Sequence, residues 1–194
     1  KKIPLRYQLT TVAKSMHSKR FGKTIFLVVV FYAMINIYYS FLSVFLNSEG
    51  ISVPMIGLIL TVALLPAVAL EIPMGSAVDR FGVRRTLVPA ALLTTVTAIL
   101  ITLSNDFYYT LIMVTAFTVS YTWIFIILYS RMSDTLGKNK IAMTGVIAAF
   151  KDVGYTIGPL LAGIMMVFMS IKETFFWAGA MFALLIPVAL TLHD

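Results

Sequence analysis

Charged positions along this chain are separated by long apolar stretches. Between Lys23 and Glu49, between Arg85 and Asp106, and between Asp106 and Arg131 there is no charged side chain. Each gap is long enough to cross a hydrocarbon core about 30 Å thick as a helix, which takes roughly 20 residues. Apolar and polar positions do not alternate with period two, so the spans are not barrel strands, and a backbone in lipid must then satisfy itself as α-helix. The pattern predicts six spans, at about 24–47, 54–78, 86–104, 107–130, 141–169 and 174–192. Short polar connections join them: "NSEGIS", "DRFGVRR", "SND", "RMSDTLGKNK" and "IKET".

Composition strengthens this reading. The chain is 60% hydrophobic and 12% charged, with a mean hydropathy of +0.95. Water-soluble domains carry about 25% charged residues, so a globular fold in water is excluded and an all-α integral membrane protein is expected. The formal charge is +7, and its placement gives an orientation. Thirteen of the fifteen Lys and Arg residues lie in residues 1–23 and in the second and fourth connections. The positive-inside rule makes those segments and both termini cytoplasmic, in a multi-pass protein of the cell membrane. The "FYY" at 107–109 and "FFW" at 175–177 suit the outer interfacial belt. Basic charge is thus accounted for by topology, and no nucleic-acid partner is expected. Residues 1–23 read as a cytoplasmic segment without the apolar core of a signal peptide. Lys1 in place of a methionine suggests a fragment or a processed product. There is no cysteine, hence no disulfide and no thiolate metal site.

The second span ends on "EIPMGSAVDRFGVRR", residues 71–85. Asp79 lies at the negative end of its own helix dipole, which is unfavourable by about 0.3–1 kcal/mol. It therefore calls for a cationic partner such as Arg80, Arg84 or Arg85, or for another helix's N-terminus. Gly75 offers a place for close helix approach, and Gly82 a tight reversal into the third span. The bland alternative is a positive-inside loop that contains an aspartate. The spacing Gly75-x-x-x-Asp79-Arg80-x-Gly82-x-Arg84, ending in Leu87, resembles the loop between the second and third helices of the major facilitator superfamily. Ala77, Val78 and Val83 depart from that family's pattern. The resemblance implies a conformational latch on the cytoplasmic side, formed by Gly75, Asp79, Arg80, Gly82 and Arg84, with Asp134 as a possible further member.

In the fifth span, "GYTIGPLLAG" places Gly154, Gly158 and Ala162 four residues apart, a smooth stripe for close helix contact. Pro159 cannot donate to the carbonyl of Tyr155, which leaves a bend there. With Gly163, the element Gly154, Gly158, Pro159, Gly163 is similar to one found in the fifth helix of antiporter branches of the superfamily; a generic packing face is the other reading. The resemblance implies one six-helix half of a transporter, made of two three-helix inverted repeats. It would bind a small-molecule substrate between halves by alternating access, with proton-coupled efflux as one mode. It also implies a second six-helix half as partner, either from the same chain or from another copy.

Charges inside the spans are candidates for chemistry. Glu71 lies about 12 Å up the helix from Asp79, and Lys151 about 16 Å from Lys140. A charge at such depth costs roughly 2.5–3.5 kcal/mol even on lenient scales, so it needs a cavity or a partner. Glu71, Asp152 and Lys151 are candidate proton or ion-coupling residues; a tied structural carboxyl at Glu71 and a structural ion pair at Lys151 and Asp152 are the alternatives. Tyr32, Asn36 and Tyr39 in the first span, and Thr118 and Thr122 in the fourth, form polar stripes that are candidate cavity lining or interhelical hydrogen bonds. No catalytic spacing, cofactor motif or metal-ligand cluster is present. A secondary transporter is the reading; a non-transporting membrane sensor or scaffold of the same fold is the alternative, and a membrane enzyme is disfavoured.

Overall fold

The computed structural model describes residues 19–135 and 140–191, with side chains described over 21–132 and 145–191. Among the described residues there is no strand. The helices are α1 (Lys19–Ser48), α2 (Val53–Phe81), α3 (Val83–Leu100), α4 (Phe107–Thr135), α5 (Lys140–Phe168), α6 (Ile171–Met181) and α7 (Leu185–Leu190). A 3-10 turn at Phe182–Leu184 joins α6 to α7. Among the described residues, five spans are long and apolar enough to cross a membrane: Phe21–Ser48, Val53–Phe81, Val83–Leu100, Phe107–Met132 and Ile171–Leu190. The protein is a multi-pass membrane protein.

The connections are short because two glycines take up the reversals. Gly82, at φ +82°, is the whole link between α2 and α3. Gly50, at φ +90°, turns the chain after α1. A side chain at either φ would be strained. The sixth expected span is continuous in direction but tightens into the 3-10 turn. Pro187 explains this, since its ring denies a hydrogen bond to the carbonyl of Ala183 and crowds it. α6 begins with a capping box in which Ser170 accepts from the Glu173 amide and Glu173 accepts from Ser170.

α1 is the central helix. Phe31, Tyr38 and Phe45, seven residues apart on one buried stripe, meet Phe175 and Phe182 on the α6 side and Phe117 of α4. Phe45 stacks on Phe175 with centroids 4.6 Å apart, and Tyr38 lies 4.5 Å from Phe117 and 4.9 Å from Phe175. The buried Tyr38 hydroxyl donates to the Phe175 carbonyl at 3.0 Å, so its polar tip is satisfied within the core. α1 packs along α5, α2 along α4, and α3 against both α4 and α6. The α3–α6 seam is close because Gly179 abuts Ala98; a Cβ at Gly179 would lie 3.1 Å from that of Ala98.

The connections after α1, α3 and α5 gather at one end of the bundle. Lys172 Nζ binds Glu49 Oε2 at 2.9 Å, and Asn105 Nδ2 donates to the Glu49 carbonyl at 3.2 Å. At the opposite end Lys23 Nζ donates to the Thr191 carbonyl at 2.9 Å, a cation on the C-terminal carbonyls of α7. Arg131, taken from the sequence as the start of the fourth connection, lies instead inside α4 and is 4% exposed. α4 continues to Thr135, so this cation belongs to the bundle.

Candidate functional site

The stripe of small residues on α5 is pressed directly against α1. A Cβ at Gly154 would stand 2.7 Å from the Val29 carbonyl oxygen and 2.9 Å from Tyr32 Cβ. One at Gly158 would overlap the Ala33 carbonyl oxygen. Ala162 is fully buried on the same face. Gly163 behaves differently: nothing in the described chain lies within 4 Å of a Cβ there, and the same holds at Gly75. The close approach expected at these two positions is therefore absent within the described residues.

This contact disposes of the carbonyl that Pro159 leaves open. Asn36 Nδ2 donates to the Tyr155 carbonyl, the group that loses its helical partner to the proline ring. Asn36, a candidate for cavity lining, thus works between helices: it satisfies the open carbonyl of α5 from the face of α1. Lys151, one turn before Tyr155 on α5, lies in an aromatic corner. Its Nζ lies 5.9 Å from the Tyr32 ring centroid and 5.7 Å from that of Tyr155, and those two rings are 5.0 Å apart. Tyr32 is itself buried, with Phe125 edge-on at 6.3 Å. The ion pair considered for Lys151 and Asp152 does not form; among the described residues the one salt bridge is Lys172–Glu49. The reason is helical geometry, since neighbours in sequence point about 100° apart. Asp152 is exposed beside Thr156.

A cavity of about 180 Å³ opens where α1, α2 and α4 meet. Tyr38, Tyr39 and Ser43 of α1, Leu60, Ala63 and Leu64 of α2, and Val114, Phe117, Thr118 and Tyr121 of α4 are among its walls. The Tyr39 and Tyr121 hydroxyls share a hydrogen bond of 2.7 Å. Thr118 is buried and returns its own hydroxyl to the Val114 carbonyl at 2.8 Å. Thr122 is half-buried next to this wall. Tyr121, which forms the rim with Tyr39, escaped the sequence reading, although it falls three residues after Thr118 on the same face of α4. Glu71 is exposed on α2. It follows Leu64 by seven residues, which puts it on the cavity face about 10.5 Å further along. A second, wider depression of about 410 Å³ lies between α2, α3 and α4, with Pro73, Thr97 and Trp123 in its walls. Trp123 Nε1 has no acceptor among the described residues.

The residues proposed as a latch sit together at the α2–α3 end. Gly75 is half-buried, Asp79, Arg80 and Arg84 are exposed, and Gly82 makes the reversal. Arg80 lies over the Phe81 ring at 5.3 Å. Asp79 has no ion pair within the described residues. The side chain of Asp134 lies outside the described residues. No cluster of three potential metal ligands occurs among the described residues.

No curated protein matches the chain. The sequence profile of the Major Facilitator Superfamily matches residues 24–194, from the second turn of α1 onward. The members of that family are transporters that move small molecules across lipid membranes. All-helical, multi-pass and matched along nearly its full length, the chain belongs to the Major Facilitator Superfamily.

Proposed function

We propose that the chain is the N-terminal six-helix half of a secondary transporter that moves a small molecule by alternating access. The observation that carries this reading is the cavity walled by α1, α2 and α4, with Glu71 seven residues beyond its wall residue Leu64 along α2. An acid held at that depth is costly facing lipid and useful facing a substrate path. The helix pairing supports two inverted three-helix repeats. Exchanging α1 with α4, α2 with α5 and α3 with α6 turns the α1–α5 pair into α4–α2 and leaves α3–α6 unchanged. Transporter folds are commonly built from such repeats.

A second six-helix unit covers the open side of this one. The face of α5 bearing Asp152, Thr156 and Gly163 is exposed yet polar and small, a poor surface for lipid and a suitable one for another helix. Asp79, Arg80 and Arg84 then latch the cytoplasmic side against that unit. Both ends of the chain face the cytoplasm, in keeping with the basic N-terminal segment and connections.

Within this scheme Glu71 carries a coupling proton, with Asp152 as the next candidate. The test is reconstitution of the full-length protein in liposomes, comparing exchange between equal substrate pools with uptake or efflux driven by a pH gradient. Glu71→Gln is expected to retain exchange and lose gradient-driven movement. Full gradient-driven movement by Glu71→Gln would remove Glu71 from the coupling step. Absence of any movement by the folded wild-type protein would favour a non-transporting sensor or scaffold of this fold.

A further inference from the structure

The walls of the α1–α2–α4 cavity define what it can hold. None of the residues lining it bears a charge. Along α2 the nearest charge is Glu71, seven residues past the wall residue Leu64 and about 10.5 Å further along the helix. A charged guest enclosed in this cavity would lose its water and meet no counter-charge, a costly way to bury an ion. The cavity therefore favours a neutral guest.

Four of the walls are rings that touch in series. Tyr38 lies 4.5 Å from Phe117, Phe117 5.3 Å from Tyr121, and Tyr121 5.8 Å from Tyr39, centroid to centroid. Successive planes are turned by 34°, 58° and 72°. An aromatic guest can join such a run by offset or edge-to-face contact, which a saturated ring cannot. Ile35, Leu42, Leu60 and Val114 are among the aliphatic walls. The volume of about 180 Å³ suits one ring, since an apolar cavity of roughly 150 Å³ holds benzene.

The polar groups of the wall are hydroxyls, and two of them have spent their donors. Tyr38 donates to the Phe175 carbonyl at 3.0 Å and Thr118 to the Val114 carbonyl at 2.8 Å. Tyr39 and Tyr121 share one bond of 2.7 Å. That bond uses one of their two O–H groups and leaves the other, with oxygen lone pairs, for a guest. An alcohol or phenol oxygen both donates and accepts, so it can use both.

We propose that the cavity takes an uncharged aromatic alcohol or phenol, its ring among the four aromatic walls and its oxygen on the Tyr39–Tyr121 hydroxyl pair. This rests on the transporter reading, which makes the cavity a substrate path.

The test is equilibrium dialysis of ring-sized probes with the purified full-length protein, against protein-free detergent of the same composition. The probes are benzyl alcohol, toluene, cyclohexylmethanol, protonated benzylamine and benzoate. Benzyl alcohol is expected to bind at least about tenfold more tightly than either ion. It should bind about 2- to 10-fold more tightly than cyclohexylmethanol. Tyr39→Phe combined with Tyr121→Phe keeps both rings, so it should weaken benzyl alcohol by about 2- to 10-fold and leave toluene unchanged. The proposal is overturned if no probe binds, if either ion binds as tightly as the alcohol, or if cyclohexylmethanol matches it. It is equally overturned if the double variant holds benzyl alcohol as wild type does. Should the double variant lose toluene as well, the ratios among alcohols and ions in wild type decide the matter. Selective binding of benzyl alcohol by a protein whose Leu64→Cys form labels from one side of the membrane only would count against the transporter reading and leave the site intact.

Discussion

Replacing Gly154 by alanine would set a methyl group 2.7 Å from the Val29 carbonyl oxygen and 2.9 Å from Tyr32 Cβ. Ordinary contact begins at 3.4 Å, so α1 and α5 would have to part by about 0.7 Å. The nearest obstructing atom is backbone, and no rotamer change relieves it. Overpacking of this kind costs about 1–3 kcal/mol, and a rigid neighbour puts it at the upper end. Alanine regains about 1 kcal/mol of helix propensity over glycine, which leaves a net loss of roughly 2 kcal/mol. For a chain of this size each kcal/mol shifts the melting temperature by about 2–4 °C. The expected fall is therefore about 4–8 °C, and more for Gly158→Ala, where the methyl would overlap the Ala33 carbonyl oxygen. Gly163→Ala serves as the internal comparison. It lies on the same helix with no described atom within 4 Å of its Cβ, so in this six-helix unit produced by itself propensity alone acts and the melting temperature should rise by about 2–4 °C. The assay is thermal unfolding of each variant in detergent, followed by intrinsic fluorescence. If Gly154→Ala melts at or above wild type, or Gly163→Ala falls as far as Gly154→Ala, the packing argument is wrong.

Three further outcomes are expected. Asn36→Leu removes the donor that satisfies the part-buried Tyr155 carbonyl, and an acceptor left unpaired there costs about 1 kcal/mol, the low end of the range for a buried group; unchanged thermal stability would show that the bond is dispensable. Asp79→Asn keeps the shape and removes the charge, so insertion and yield should hold while transport by the full-length protein falls; wild-type rates would rule out a latch at Asp79. Single cysteines at Ser48 and Asn105 should react with an impermeant thiol reagent from outside and one at the exposed Arg85 only from the cytoplasm; labelling of position 85 from outside in intact cells would reverse the orientation.

The helical class and the rough extents of the segments were legible because charge-free runs of that length admit one backbone solution. The glycine stripe was legible as a face but not in its use. Gly158 and Gly163 look alike in sequence, yet only the first lies where α1 crosses α5. Asn36 shows the same limit: its spacing marks it as polar and inward, while its task depends on a proline 123 positions later in the chain. Arg131 was misplaced because hydropathy ends a span at the first charge, whereas the helix and its packing continue past it. Gly179 and Tyr121 drew no attention because each acts through a neighbour on another helix. Lys151 was recognised as costly, but the two rings that hold it come from helix contacts that local pattern does not encode.

The central claim is that the cavity between α1, α2 and α4 opens to each side of the membrane in turn. Leu64 tests it most directly. It lines the cavity, is 50% exposed, and lies eleven residues into α2, about 16 Å from its start. The chain has no cysteine of its own, so Leu64→Cys is a clean probe in this segment. Impermeant thiol reagent should label Leu64→Cys in both right-side-out and inside-out vesicles, each reaching the fraction of molecules open to that side. Labelling confined to one vesicle orientation would contradict alternating access and leave a fixed membrane scaffold in its place.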